Sequence, residues 1–499
     1  MKQKDEFKTG TILSYVYLII NNIVQILYTP FMLQKMGQAE YGVYSLCMSI
    51  VNYLTVLDFG LGNAIIKYVA ENKKEDKKQQ NKLNGLFLKI YGILGLCVLI
   101  IGVIIAFNVN SIFSNSLTVE EMSKAKTIIT ILSINVAVSL PLSVFASITI
   151  AHKSFVITKL LNIIRVIVLP IVMIPLLLNG YKSIAMSLVN SIIGTVCSIL
   201  IAIYAIVKLK VRFSFDKVDK GLLKEISKFS LFAFILLVVD KINWNIDPVI
   251  IGMYISAEAV AIYSIASHIF QIYLTFPSVV SGLLLPKLTE VKDDKTATNN
   301  VFLKVSRIQL IIAIYILFGF MLVGKEFILV WAGEAYMVAY TIAVLLMSAA
   351  AIPLSFNIAN VILQAKNKQK FRAIVLSLVV IFNIIISIFA CKKFGILGCT
   401  IGTVVTYVVG HIIVMGIYFY KQLKLDMKKY VKNAITIIIS SVAALVVSYL
   451  IKIELESLII TIALNAIIYT VIFFIVNYMF SLDNYEKQLI KNVIRRNNG

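Results

Sequence analysis

Runs of about 20 apolar residues follow one another along this chain, separated by short polar segments. A run of that length forms a helix that spans the hydrocarbon core of a bilayer. Hydrophobic residues make up 60% of the chain, against about 45–50% in soluble proteins, so a soluble domain is excluded. We predict about fourteen spanning helices, at residues 12–33, 41–62, 85–107, 127–150, 160–178, 184–207, 229–254, 259–284, 306–323, 337–364, 373–390, 397–419, 432–451 and 458–480.

The net charge of +22 is unevenly distributed between the two sides of these spans. Most Lys and Arg lie in the connections on the side of the N-terminus, and few lie in the connections on the other side. This asymmetry follows the positive-inside rule and predicts that both termini are cytoplasmic. The basic loops also predict contact with anionic membrane lipids. A nucleic-acid partner is not expected, because the connections offer no groove of basic and aromatic residues.

The chain also contains an internal repeat. Three short motifs recur in the same order at nearly the same spacing: Pro30 to Glu40 with Pro248 to Glu258, 141–143 with 353–355, and 209–210 with 423–424. Such a repeat on an apolar chain is typical of transporters built from two homologous halves with a binding site between them. We predict a six-helix lobe at 1–210, a cytoplasmic linker at 211–228, a second six-helix lobe at 229–425, and two extra helices with a cytoplasmic tail at 426–499.

The motifs of catalytic and metal-binding proteins are missing from the sequence. The five cysteines form no CxxC pair and the three histidines are scattered, so neither a metal site nor a disulfide framework is predicted. The segment 319–325 has phosphate-loop spacing, but Glu326 follows it in place of Ser or Thr. External loops are short, which argues against a membrane glycan polymerase. We therefore expect no enzyme, no catalytic residue and no cofactor, and we leave coupling to Na⁺ or H⁺ open.

Helix seven carries the densest polar segment inside a predicted span, VVDKINWNIDPVI. Asp240, Asn243 and Asp247 are spaced i, i+3, i+7 and share one face. Trp244 lies beside them, and Lys241 is near the middle of the span. A charge at the bilayer centre costs at least about 2.5 kcal/mol, so such residues need partners or a water-filled cavity. We predict that they line a cavity; the alternative is a packing patch in which Asp240 and Lys241 neutralise each other.

Helix one, which the repeat makes equivalent to helix seven, carries a similar polar face. Asn22, Gln25 and Thr29 are spaced i, i+3, i+7, and a proline follows in both helices. We expect Pro248 to break helix seven and to release backbone groups that a cavity can solvate. The alternative for the face of helix one is hydrogen bonding between helices.

Other polar residues inside the spans extend the candidate site. Arg165 on helix five and Arg307 at the start of helix nine either reach the cytoplasmic headgroups or meet an anionic substrate head, which suits the guanidinium fork. Asp58 is either a gate or an anchor for a helix end. The remaining candidates for the cavity wall are on helices eight and ten: His268, Gln271, Asn357 and Asn360.

Two segments resemble the signature sequences of bacterial polysaccharide repeat-unit flippases of the Wzx type. They are TPFMLQKMGQAEYGVYSLCMSIVNYLTVLDFGLGNAIIKYVAE in the first half and DPVIIGMYISAEAVAIYSIASHIFQIYLTFPSVVSGLLLPKLTE in the second half. These flippases belong to the multidrug/oligosaccharidyl-lipid/polysaccharide exporter superfamily. The resemblance implies an all-α polytopic membrane protein with two parallel six-helix lobes in a V shape around a central cavity, often with two extra helices.

The resemblance also implies a function. An undecaprenyl-diphosphate-linked oligosaccharide would cross the bacterial cytoplasmic membrane by alternating access, for surface polysaccharide synthesis. The lipid-linked oligosaccharide would be the main partner, with a polysaccharide polymerase as a second candidate. Lys241, Arg165 and Arg307 would supply the cations of the cavity. A drug–cation antiporter, using Asp240 and Asp247, remains an alternative, as does a peptidoglycan-precursor flippase, which the lack of arginine in helices one and two disfavours.

Overall fold

A computed structural model of the protein describes residues 2–71, 77–216, 220–282, 288, 294–366 and 368–488. Within these residues the chain is almost entirely helical. Twelve of the described helical segments are long and apolar enough to span a membrane. The prediction of an all-α, multi-span membrane protein is therefore confirmed. The count of fourteen helices stays a prediction.

Contacts divide the chain into two compact units, Met1–Ala261 and Ile262–Gly499. In the first unit, α8 packs on α2, although the repeat places α8 in the second lobe. The lobe boundaries were inferred from the repeat and not from contacts, and they stay a prediction. The helices of the first unit are α1 (Lys2–Met36), α2 (Gln38–Leu54), α3 (Leu61–Glu71), α4 (Lys77–Phe113), α5 (Val119–Ala151), α6 (Phe155–Leu178), α7 (Ser183–Val207) and α8 (Lys220–Tyr254).

In the second unit, α10 is the central helix, because it packs against α11, α15 and α16. Helix α9 (Ala257–Gly282) begins within the last residues of the first unit. A π-helical stretch, Tyr407–Val414, joins α13 to α14. The helices that follow α9 are α10 (Lys295–Trp331), α11 (Val338–Ser355), α12 (Asn357–Ala365), α13 (Lys370–Thr406), α14 (Met415–Gln422), α15 (Met427–Leu450) and α16 (Leu458–Phe480).

Capping side chains determine where several helices begin. At α5, the Thr118 hydroxyl accepts a hydrogen bond from the Glu121 backbone N–H (3.3 Å), and the Glu121 carboxylate accepts one from the Thr118 backbone N–H (2.8 Å). Asp294 accepts backbone N–H groups at the start of α10, and Asp426 does so at the start of α15. Each cap satisfies donors that a helix start leaves unpaired.

Two prolines have different effects on their helices. Pro248 lies inside α8, and the helix continues past it, so the prediction that it breaks helix seven is wrong. A proline removes one backbone donor, but packed neighbours can satisfy the freed carbonyl in a bundle of transmembrane helices. The predicted helix at 337–364 does break, since α11 ends at Ser355, two residues after Pro353.

Helix α13 changes direction at Gly395, whose φ of 63° lies in the left-handed region that favours glycine. Gly398 and Gly402 lie four residues apart, a spacing that predicts close packing of two helices. This prediction is confirmed: a Cβ at Gly398 would lie 2.0 Å from the Ala390 carbonyl oxygen, and one at Gly402 would lie 2.4 Å from Ser387 Oγ. The two arms of α13 therefore pack back along each other.

We expect Gly398→Ala to destabilise the protein, because the added methyl would collide with backbone that cannot move without separating the arms. Overpacking of this kind costs about 1–3 kcal/mol. Thermal unfolding in detergent would measure it as a lower midpoint. Gly416→Ala is the matched control, since a Cβ there meets nothing within 4 Å and alanine favours a helix. An equal midpoint for both variants would contradict the packing argument.

Candidate functional site

The polar segment of α8 contacts α2 through an amide pair. Asn245 is buried, and its Oδ1 accepts a hydrogen bond from Asn52 Nδ2 (3.2 Å). Its own Nδ2 donates to the Lys241 carbonyl oxygen (2.8 Å), one turn earlier on α8. Asp247 is also buried, within electrostatic range of Tyr53 on α2. These contacts fix the rotation of the α8 segment against α2.

The other candidates on α8 are less enclosed than Asp247. Lys241, Asn243 and Trp244 are each half-buried. The side chain of Asp240 lies outside the described part of the structure, so its pairing with Lys241 stays a prediction. The same holds for the prediction that this face of α8 lines a cavity.

Helix α1, which carries the other predicted polar face, packs mainly against α6. Asn22 and Gln25 are half-buried, and Thr29 is buried. On the same helix the Tyr28 hydroxyl donates a hydrogen bond to the Met186 sulfur of α7 (3.6 Å). The predicted role of Asn22 and Gln25 in a cavity wall stays a prediction.

Arg165 lies near the middle of α6. The helix begins at Phe155, earlier than predicted, so Arg165 is about 15 Å along its axis. One of its nitrogens, Nη2, donates a hydrogen bond to Asn190 Oδ1 on α7 (3.1 Å).

Gly194 makes room for this guanidinium on α7. A Cβ at Gly194 would lie 3.2 Å from Arg165 Cζ, so the guanidinium rests directly on the glycine. Tyr44 of α2 lies within electrostatic range of the same group. The Arg165 side chain is nevertheless exposed. The result is a cation at mid-helix depth that is held in place from one side and accessible from another.

Asp58 anchors a helix end. It closes the 3₁₀ turn Thr55–Asp58 that follows α2. Its carboxylate accepts hydrogen bonds from the Tyr91 hydroxyl and from the backbone N–H groups of Gly60 and Gly62. Since Gly62 is in the first turn of α3, the carboxylate caps that helix. Of the two options that the sequence leaves open for Asp58, these contacts favour the anchor over the gate.

The candidates on α9 and α12 lie in different surroundings. The Asn357 Nδ2 donates a hydrogen bond to Ser278 Oγ of α9 (3.1 Å). Also on α9, His268 is half-buried and Gln271 is exposed. Asn360 lies in a small pocket between α12 and α13. Whether any of them contacts a substrate stays a prediction.

Arg307 forms a buried ion pair that the sequence does not predict. Its Nε and Nη2 donate to the two carboxylate oxygens of Glu486 (2.8 Å each), and Nη2 also donates to the Ser481 carbonyl oxygen (2.6 Å). Asp483 lies 3.7 Å from Nε. The guanidinium thus joins α10 to the segment after α16, a role that neither predicted option included.

Three residues that were not predicted as site residues form hydrogen bonds with or beside the predicted ones: Asn52, Asn190 and Asn245. Each is an amide inside an apolar run, and its spacing along the chain does not reveal a partner on another helix. The one available signal is the presence of an amide within a predicted span, because polar residues there usually face protein or water.

A family model described as "Polysaccharide biosynthesis protein" matches residues 7–292, more than half of the chain. The chain belongs to this family. A relative, the putative O-antigen transporter of Shigella flexneri, is 20% identical over 410 residues, which cover 78% of this chain and 92% of the relative. The resemblance to polysaccharide flippases is therefore confirmed at the level of the family.

Two solved structures share the fold of this chain. The lipid II flippase MurJ in an inward-closed conformation superimposes with a TM-score of 0.72 at 18% identity, over 94% of this chain and 98% of MurJ. An inward-facing multidrug transporter of the MATE family, in the MOP superfamily, gives 0.63 at 14% identity, over 79% and 92% of the two chains. At these identities the likeness shows the fold alone. The family and its neighbours are transporters and flippases rather than enzymes.

Proposed function

We propose that this protein flips an undecaprenyl-diphosphate-linked oligosaccharide from the cytoplasmic to the outer leaflet of the bacterial inner membrane, for surface polysaccharide synthesis. In this proposal both termini are cytoplasmic, and transport proceeds by alternating access through a polar cavity. Family membership and the similarity to an O-antigen transporter support the proposal. The uneven distribution of Lys and Arg supports the orientation.

The observation that carries the proposal is the position of Arg165. A guanidinium has five N–H donors, and Asn190 accepts from one of them. A charge inside a membrane-spanning helix is costly, and its default explanation is a functional site. A diphosphate matches the fork of donors in charge and geometry. Arg165 would therefore replace part of the hydration shell of the diphosphate during transport.

Two neighbours explain how Arg165 could stay available for that contact. Asn190 bonds to only one end of the guanidinium and so orients it without neutralising its charge. Gly194 has no side chain that would cover it. The lipid tail would remain in the bilayer during transport, because only the charged head and the sugars are insoluble in hydrocarbon.

The test of this function is a strain in which the gene is deleted. We expect completed lipid-linked oligosaccharide to accumulate on the cytoplasmic side. Mass spectrometry of extracted lipids would detect the accumulation, and a probe restricted to the outer leaflet would not reach it. Surface polysaccharide should be lost and should return when the gene is supplied on a plasmid. Unchanged lipid intermediates together with new sensitivity to cationic dyes would overturn the proposal in favour of a drug antiporter.

A further inference from the structure

Helix α8 packs along the first half of the chain in one antiparallel register. Near the start of α2, Leu46 packs on Gly252, where a Cβ would lie 2.7 Å from Leu46 Cδ1. The amide pair between α2 and α8 follows. Past the end of α2, the ring of Phe59 packs on the ring of Phe234, with centroids 4.5 Å apart. Because the repeat makes α8 the first helix of the second half, these contacts join one half of the repeat to the other.

The two ends of this register are built differently. At the predicted outer end the contact involves the backbone: a Cβ at Gly42 would lie 1.8 Å from the Ala257 carbonyl oxygen, and the Ser116 hydroxyl donates a hydrogen bond to the Gly252 carbonyl oxygen. At the predicted cytoplasmic end the contact is made by two aromatic rings. Rings can separate by rotating about their side-chain torsions, without any movement of the helix that carries them. The cytoplasmic end is therefore the end at which α8 can leave the first half more easily.

The backbone of Phe59 is strained. Its φ of 52° and ψ of 19° lie in the left-handed region, which is uncommon for a bulky side chain. Among the residues that the structure describes, the other non-glycine residues with a positive φ are Lys153, Lys210 and Lys424, which are exposed and follow helix ends. The ring of Phe59 is instead half-buried. Glycine usually occupies this conformation at a helix end, so a phenylalanine here indicates that the ring has a function that offsets the strain.

The anchor at Asp58 holds this strained backbone in place. Its carboxylate accepts hydrogen bonds from the backbone N–H groups of Gly60 and Gly62, on the far side of Phe59, and from the Tyr91 hydroxyl. A strained conformation persists only where its surroundings fix it. The turn therefore presents the ring of Phe59 to α8 in a fixed orientation.

A polar contact accompanies the ring pair. Tyr68 of α3 is buried and lies within electrostatic range of Glu225, near the start of α8. Tyr68 follows the span predicted at 41–62, and Glu225 precedes the span predicted at 229–254, so both lie on the cytoplasmic side of the predicted topology. The contacts of Phe59 and Tyr68 thus hold the first turns of α8 against the first half at this side.

We propose that the pair of Phe59 and Phe234 is a latch that closes the cytoplasmic side of the transport path. This inference rests on the proposed function, because alternating access requires contacts between the two halves to open on the side where the substrate enters. Opening separates the two rings and moves the first turns of α8 away from Tyr68. The strained turn stays on the first half, held by Asp58, and its ring is already oriented when α8 returns.

Cross-linking the two ring positions tests whether the latch must open. The variant carries Phe59→Cys and Phe234→Cys, in a protein whose five natural cysteines are replaced by alanine, and it is expressed in the deletion strain. A short bifunctional methanethiosulfonate reagent joins the two thiols. We expect newly made surface polysaccharide to fall in proportion to the fraction of protein that is cross-linked. Dithiothreitol, which cleaves the cross-link, should restore it.

The variant with Phe145→Cys and Phe213→Cys is the matched control. These rings form an edge-to-face pair, 5.3 Å apart, between α5 and the segment after α7, and the pair does not include α8. Its cross-link should leave surface polysaccharide unchanged. Undiminished transport by the cross-linked latch would overturn the proposal, as would an equal loss in the control. Normal surface polysaccharide in the deletion strain itself would overturn the proposed function instead, and the next measurement tests the latch without transport.

Hydrogen–deuterium exchange of the purified protein in detergent measures how firmly the first turns of α8 are held. Phe59→Gly removes the ring but suits the positive φ, so this variant should fold at least as well as the natural protein. We expect amides in these turns to exchange about twofold to tenfold faster in Phe59→Gly, because an aromatic pair no longer holds them. Phe213→Ala should leave them unchanged. Equal exchange in Phe59→Gly and the natural protein would show that the rings do not hold α8, and the latch would be rejected.

Discussion

Replacing Arg165 with alanine is expected to lower surface polysaccharide at least about tenfold, while the amount of protein in the membrane stays unchanged. A hydrogen bond to a charged group contributes about 1.5–3 kcal/mol, and a loss of that size in the transport barrier slows transport roughly tenfold to a hundredfold. The measurement is surface polysaccharide in the deletion strain, complemented with each variant at matched expression.

The energetics of folding allow this test to distinguish a loss of transport from a loss of stability. A charge inside a membrane-spanning helix is unfavourable, so removing the Arg165 guanidinium should not impair insertion or stability. Its bond to Asn190 is one hydrogen bond on an exposed side chain. We therefore expect the thermal midpoint of Arg165→Ala to equal or exceed that of the natural protein. A functional loss with unchanged stability assigns the residue to transport.

Two further variants refine the interpretation. Arg165→Lys keeps the charge but not the fork, so it should restore part of the activity. Lys159→Ala removes a cation from the same helix about one and a half turns closer to its start, and should change surface polysaccharide less than twofold. Full activity of Arg165→Ala would remove the observation on which the proposed function rests.

Apolar patterning predicts the spans well, because the bilayer sets the length of each apolar run. The predicted helix 458–480 coincides with α16, and 184–207 differs from α7 by one residue. Patterning is less informative about where a helix ends outside the apolar core. Helix α4 begins at Lys77 and not at residue 85, since backbone hydrogen bonding continues through polar residues.

The start of α6 could not be predicted for the same reason. The predicted span starts at residue 160, but α6 starts after a turn in which Lys153 has a positive φ of 63°. A left-handed residue of this kind is set by local backbone energetics and has no hydrophobic signature. Contacts between distant helices are a second limit: Asn190 is the partner of Arg165, and the spacing within α7 does not indicate it.

Arg307 shows that second limit most fully, because its partner Glu486 is 179 residues away in the sequence. Only the folded chain brings them together. Helix α16 packs on α10 where Tyr469 donates a hydrogen bond to the Tyr315 carbonyl oxygen (2.9 Å) and its ring rests on Gly319. This packing places the segment after α16 next to Arg307. A polar residue in a predicted span is therefore weaker evidence for a substrate site than the sequence alone suggests.

Breaking this ion pair is expected to have the largest effect on stability. The side chains of Arg307 and Glu486 are only 8% and 6% exposed. Removing one partner of a buried pair leaves the other charge without compensation and costs about 3–5 kcal/mol. Arg307→Ala and Glu486→Ala should therefore each lower the midpoint of thermal unfolding in detergent by several degrees. Glu120→Ala is the control, since its pair with Lys124 is exposed and contributes at most ~1 kcal/mol.

The double variant Arg307→Leu with Glu486→Leu separates the contribution of the two charges to stability from the contribution of side-chain packing. Replacing both charges by apolar side chains removes the desolvation cost of each, and such replacements are often neutral or stabilising. We expect the double variant to recover most of the stability that either single change loses. Its surface polysaccharide should stay close to that of the natural protein, because Arg307 is engaged by Glu486 and Ser481. A stable double variant that had lost transport would instead return Arg307 to the substrate path.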